Sequence, residues 1–169
     1  LGVKNFGEFE FWFAILKVLA IVAFIGIGAA LLAGLLPSAP SPGLRNLFEH
    51  GGFMPNGWSG IGAALLVVVF AFGGTEIVAV AAAETEDPGR NIARAVRTVA
   101  WRIAVFYIGS ISVIIAVVPW NSDALKSPFA AVLDAANIPG AATAITLIAV
   151  IALLSALNAN LYGASRMIF

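Results

Sequence analysis

Ala141-Ala142-Thr143-Ala144-Ile145-Thr146-Leu147-Ile148-Ala149-Val150-Ile151-Ala152-Leu153-Leu154 carries no charge and shows no polar face at helical spacing. A helix lying on a water-facing domain needs such a face, because one side of it meets solvent. The uncharged run extends from about Pro139 to Tyr162, and about 20 apolar residues in a helix cross a hydrocarbon core of about 30 Å. The stretch therefore reads as a transmembrane helix. Ile103 to Val118 has the same character, which argues against a merely hydrophobic soluble bundle.

Working outward, three more stretches meet the criterion. They run from about Phe11 to Leu36, broken by Lys17; from about Trp58 to Ala83, broken by Glu76; and from about Val99 to Trp120, with Arg102 near the start. The expected fold is all-α, a polytopic membrane bundle of four transmembrane helices forming one transmembrane domain over residues 1–169. Composition agrees, with 61% of residues hydrophobic and 11% charged, against about a quarter charged in soluble domains. Nine basic and nine acidic residues cancel, so no net field draws nucleic acid. The chain has no cysteine, which excludes disulfides, thiolate metal sites and cysteine nucleophiles. His50 is the single histidine and leaves little for a metal or catalytic cluster. No charged n-region or cleavage site precedes the first apolar run, so no signal peptide is expected. With Leu1 in first place and a hydrophobic helix still running at Phe169, the chain reads as an internal fragment.

Basic residues set the expected orientation. Lys4, Arg90, Arg94, Arg97, Arg102 and Arg166 fall on one side of the bundle, Arg45 and Lys126 on the other. Both ends and the loop over 84–98 are therefore expected on the cytoplasmic side of the inner membrane. Trp12, Trp58, Trp101 and Trp120 lie near expected span ends, where aromatic belts sit. Leu36–Gly57, rich in proline, glycine and serine, reads as an external connection, and Glu84–Arg97 as a charged turn in which Pro88-Gly89 stops a helix. After Ser127-Pro128, the residues Phe129, Val132, Leu133 and Ala136 share one helical face. They predict a short amphipathic helix on the outer surface, either a packing element or the cap of a vestibule.

The residues that could carry chemistry cluster in three spans. Phe72-Gly73-Gly74-Thr75-Glu76 puts adjacent glycines near mid-membrane, followed by a carboxylate. Each glycine costs a helix interior about 1 kcal/mol relative to alanine. The pair either permits a break of the kind that builds transporter sites or lets another helix pack closely. Glu76 lies about 12 Å inside the span at about 1.5 Å per residue, too deep for its short side chain to reach water. It fits a protonatable carboxylate facing a cavity, or a hydrogen-bonded structural glutamate. Lys17, about 9 Å inside its span, either snorkels to the interface or turns inward, where its ammonium would replace a coupling cation. Ser155, Asn158, Tyr162 and Arg166 fall on one side of the fourth span, as interhelical glue or as a pathway lining.

Gly57-Trp58-Ser59-Gly60 matches the Gly-x-Ser-Gly pattern of rhomboid-type intramembrane proteases. Those need a histidine base on a later helix, whereas His50 precedes the serine. Ser59 is more simply an N-cap for the second span. Gly26, Gly28 and Gly34 read as packing glycines, and no phosphate loop is present.

An ordered set of segments then carries a resemblance. These are Lys4 to Ala14, Gly51 to Gly57, Phe70 to Glu86 with Pro88, Arg94-Ala95, Trp101-Arg102-Ile103 and Ser155 to Met167. Together they resemble the amino-acid permeases of the amino acid–polyamine–organocation superfamily, and among them the bacterial GABA permeases. The resemblance implies helices five to eight of a twelve-helix fold built on two inverted five-helix repeats, and proton-coupled uptake of an amino acid, GABA or similar. It implies an unwound, substrate-facing segment at Phe72, Gly73, Gly74 and Thr75, with Glu76 in proton coupling. Lys17 would stand where related transporters hold a sodium ion, with Ser155 and Asn158 beside it. The expected partners are a small amino acid and the bilayer. No metal and no cofactor is expected, the proton serving as coupling ion. The first helix, which holds the substrate's carboxylate and amino group in that family, has no counterpart here. The competing functions are an intramembrane serine hydrolase at Ser59 and a non-transporting membrane scaffold.

Overall fold

A computed structural model describes residues 3–71 and 88–168. Helices α1 (Val3–Leu32), α2 (Gly57–Ala71), α3 (Pro88–Arg102), α4 (Ile108–Val117), α5 (Pro128–Ala135) and α6 (Ala141–Ile168) make up an all-helical fold. A π-helical turn, Ile103–Tyr107, follows α3, and 3-10 turns occupy Arg45–Leu47 and Asp123–Lys126. No strand occurs among the described residues.

Three apolar helices are long enough to cross a bilayer: Phe11–Leu32, Gly89–Val117 and Ala141–Leu161. A shorter apolar helix covers Gly57–Val69. Of the expected second span, the part after residue 71 lies outside the described residues. The apolar surface of these helices is left uncovered in a way water would not tolerate. On α6, Leu153 and Leu154 are 71% and 61% exposed, as expected for side chains that meet lipid or other helices.

The expected boundaries shift in three places. The first span ends at Leu32 rather than Leu36, because Gly34 closes it in a Schellman turn. Gly34 N–H donates to Leu31 O (3.0 Å) and Leu35 N–H to Ala30 O (2.9 Å), with Gly34 at φ +71°. That left-handed conformation is what glycine supplies just past a helix end, so Gly34 is a capping glycine and not a packing one. Second, residues 88–98 are helical, not loop. Pro88 opens α3, since its fixed φ suits the first helical position. Third, Asn56 and not Ser59 precedes α2. Ser59 sits in the first turn and its Oγ donates back to Asn56 O at 2.9 Å, as serines inside helices do.

The chain divides into two compact units, Leu1–Asn46 with Ser110–Phe169, and Leu47–Gly109. In the first, Phe24 and Leu31 of α1, Val113 and Val117 of α4, and Val132, Leu133 and Ala136 from α5 and its end form one buried core. Of the two readings of the short amphipathic helix, the packing element is the one seen: its apolar face wedges into the core, with Val132 0% exposed, while Asp134 and Ala135 stay exposed. Gly28 is buried against α4, and a β-carbon there would overlap Val113 Cγ1; Gly26, by contrast, faces open space. The connections are pinned as well. Ser38 Oγ donates to Ala136 O (3.3 Å) and Asn137 Nδ2 to Ser38 O (3.2 Å). Asn46 Nδ2 donates to both Ala116 O and Val117 O at 2.9 Å, satisfying carbonyls that the end of α4 leaves without helical partners. In the second unit, Phe48 stacks on Phe53 with ring centroids 6.4 Å apart.

Candidate functional site

Lys17 and Ser155 are 138 residues apart, and the structure brings them together: Lys17 Nζ donates to Ser155 Oγ at 2.7 Å. Of the two orientations left open for this lysine, the side chain takes the inward one. Ser155 is 3% exposed and Lys17 half-buried. An ammonium offers three donors and no acceptor, so it needs oxygen partners wherever water is excluded. The Ser155 hydroxyl oxygen is one.

Small side chains leave room beside the pair. A cavity of about 210 Å³ is bounded by Lys17, Ala20 and Ile21 on α1, Phe129 on α5, and Ile145 and Ala149 on α6. Its walls are apolar apart from the lysine. Phe129 is held edge-on against Phe24, centroids 4.8 Å apart at 61°, an arrangement aromatic rings prefer. A second cavity, also about 210 Å³, reaches Ser127 and Thr146 and shares Phe129, Ile145 and Ala149 with the first. Phe129, Ile145 and Ala149 thus line both.

Asn158, one turn beyond Ser155, is exposed. The side chains of Tyr162 and Arg166, and all of Phe72, Gly73, Gly74, Thr75 and Glu76, lie outside the described residues. Sequence reasoning missed Phe129 as a cavity wall and the π turn at Ile103–Tyr107. The apolar face of α5 pointed to burial of Phe129, but nothing local marks an extra residue in a helical turn.

Chemically, the arrangement places one fixed positive charge between two helices, facing an otherwise apolar space.

The whole chain, residues 1–169, matches the amino acid permease family, and the chain belongs to that family, one of transporters rather than enzymes. Among individual proteins, it is 48% identical to a gamma-aminobutyric acid permease of Bacillus subtilis over 99% of this chain and 36% of that protein. It is 51% identical to the aromatic amino acid transport protein AroP of Corynebacterium glutamicum, over 100% and 38%. A gamma-aminobutyric acid permease of Escherichia coli is 46% identical, over 100% and 37%. The chain thus spans little more than a third of the length of these relatives. No solved structure matches it.

Proposed function

We propose that the full-length permease takes up an amino acid, GABA or a compound like it, together with a proton across the inner membrane, with both ends of the present chain cytoplasmic. The contact between Lys17 Nζ and Ser155 Oγ at 2.7 Å carries this reading. In it, the protonated ammonium of Lys17 fills a cation position between α1 and α6, with Ser155 and Asn158 as the polar groups around it. Deprotonation empties the position of charge and weakens the tie between the two helices. Coupling the proton to the solute then needs a second titrating group near the solute. Glu76 fills that role, following the segment Phe72, Gly73, Gly74 and Thr75, whose freed backbone groups would meet the substrate. The names of the relatives support an amino-acid substrate, and the basic residues around Arg90 to Arg102 support the orientation.

The test is uptake by the full-length protein in liposomes under an imposed pH gradient. Glu76→Gln and Lys17→Ala should each abolish accumulation while the protein is still made and inserted. Wild-type uptake that ignores a protonophore would remove proton coupling from the reading. Competition by aromatic amino acids stronger than by GABA would move the substrate to the other branch of relatives.

A further inference from the structure

The charged turn expected before the third span is a helix with two faces, and the faces differ in kind. At 3.6 residues per turn, Arg90, Arg94 and Arg97 fall within a sector of about 60°, and Trp101 lies in the same sector one turn further on. Ile92, Val96 and Val99 lie opposite. All three arginines are exposed, as are Trp101 at 72% and Val96 at 59%. Among the described residues, no ion pair engages Arg94 or Arg97. The stripe lies in the first turns of the helical span Gly89–Val117, and Arg97 stands only about 9 Å along the axis from Ile103, where the uncharged run begins.

From this geometry we infer that the stripe Arg90–Arg94–Arg97 is a binding site for the phosphodiester headgroups of anionic phospholipids in the adjoining leaflet. A guanidinium presents a planar fork that pairs with two phosphate oxygens at once. Arg94 and Arg97, about 4.5 Å apart along the axis, bracket one headgroup. Trp101 marks the depth at which an indole prefers the interface, which fixes the stripe at headgroup level. A soluble acidic partner would meet the same charges but has no use for the exposed Trp101 one turn further along the same face. A lipid engages both, its headgroup on the arginines and its acyl chains along Trp101 and the apolar turns that follow it.

The experiment adds dioctanoyl phosphatidylglycerol, dioctanoyl phosphatidylcholine or inorganic phosphate to the purified full-length permease in neutral detergent and follows thermal unfolding. Phosphatidylglycerol should raise the melting temperature at concentrations where the other two do not. Each arginine taken away from the headgroup should weaken the apparent affinity about fivefold, so Arg94→Gln/Arg97→Gln should weaken it about twenty-five-fold. Arg94→Lys/Arg97→Lys should fall between, keeping charge without the fork, and Lys126→Gln, between α4 and α5, should behave as wild type. Equal stabilisation by phosphatidylcholine, or by phosphate, would overturn the inference in the wild-type protein alone, whether or not the variants fold. So would a glutamine pair that responds to phosphatidylglycerol as the wild type does.

Discussion

The two halves of α1 meet different surroundings. One face of its C-terminal half is packed: Phe24 and Leu31 are each 1% exposed, Gly28 lies against Val113, and a Schellman turn closes the end. Its earlier half, around Lys17, shows Phe11 59%, Trp12 62% and Leu19 61% exposed, and a cavity beside the lysine. One helix therefore serves as an anchor at one end and as an open wall at the other. Rigid packing and hydrogen-bonded loops are concentrated where α5 wedges in, which leaves the lysine end free of the constraint that a filled core imposes. A site whose occupant must come and go fits the second environment and not the first.

Breaking the anchor should have the largest effect. Val132 is 0% exposed at the centre of the wedge, and Val132→Asp would bury a carboxylate with no designed partner. Such a change belongs to the small class that costs more than about 4 kcal/mol. The full-length permease should lose its monodisperse peak in size-exclusion chromatography. A folded protein with unchanged melting temperature would show that the wedge is dispensable. Next in size is the contact between α1 and α4. Gly28→Val should cost about 1–3 kcal/mol by overpacking, and Val113→Ala in the same protein should recover most of it. Melting temperatures of the two single variants and the double variant measure that coupling directly, and additive losses would place the added methyls elsewhere.

How much of this is legible in the sequence depends on range. Membrane spans are decided by local composition, because backbone groups in hydrocarbon must be satisfied within the helix, and Ala141–Leu154 is enough to read α6. The start of α3 escapes a reading that treats Arg90, Arg94 and Arg97 as loop charges, although their spacing of four and three residues already places them on one helical face. Gly34 reads as packing because a capping glycine and a packing glycine look alike until φ is known. The pinning of Asn46 to Ala116 and Val117, and the place of Phe129 in the lining of two cavities, arise from contacts distant in sequence and leave no local pattern. Lys17 and Ser155 stand out singly as polar groups in apolar helices. Their meeting is implied by the family resemblance, not by anything in the neighbouring residues.

The smallest stability effect is expected at the lysine end, and it sharpens the contrast most. Ser155→Ala removes the acceptor 2.7 Å from Lys17 Nζ but no volume that the core depends on. Hydrogen bonds to charged groups are worth about 1.5–3 kcal/mol when water is excluded. Lys17 has a flexible stem that can turn its ammonium to another oxygen partner, so the loss should fall at or below the low end of that range, about 1.5 kcal/mol. The melting temperature should then move less than it does for Gly28→Val. Uptake, if the pair stands in for a coupling cation, should drop sharply, and Ser155→Thr should restore it by returning the hydroxyl. A variant that unfolds as readily as Gly28→Val would make Ser155 part of the anchor and erase the distinction between the two halves of α1. One that keeps both its stability and its transport would leave the distinction in place but take the lysine–serine contact out of the mechanism.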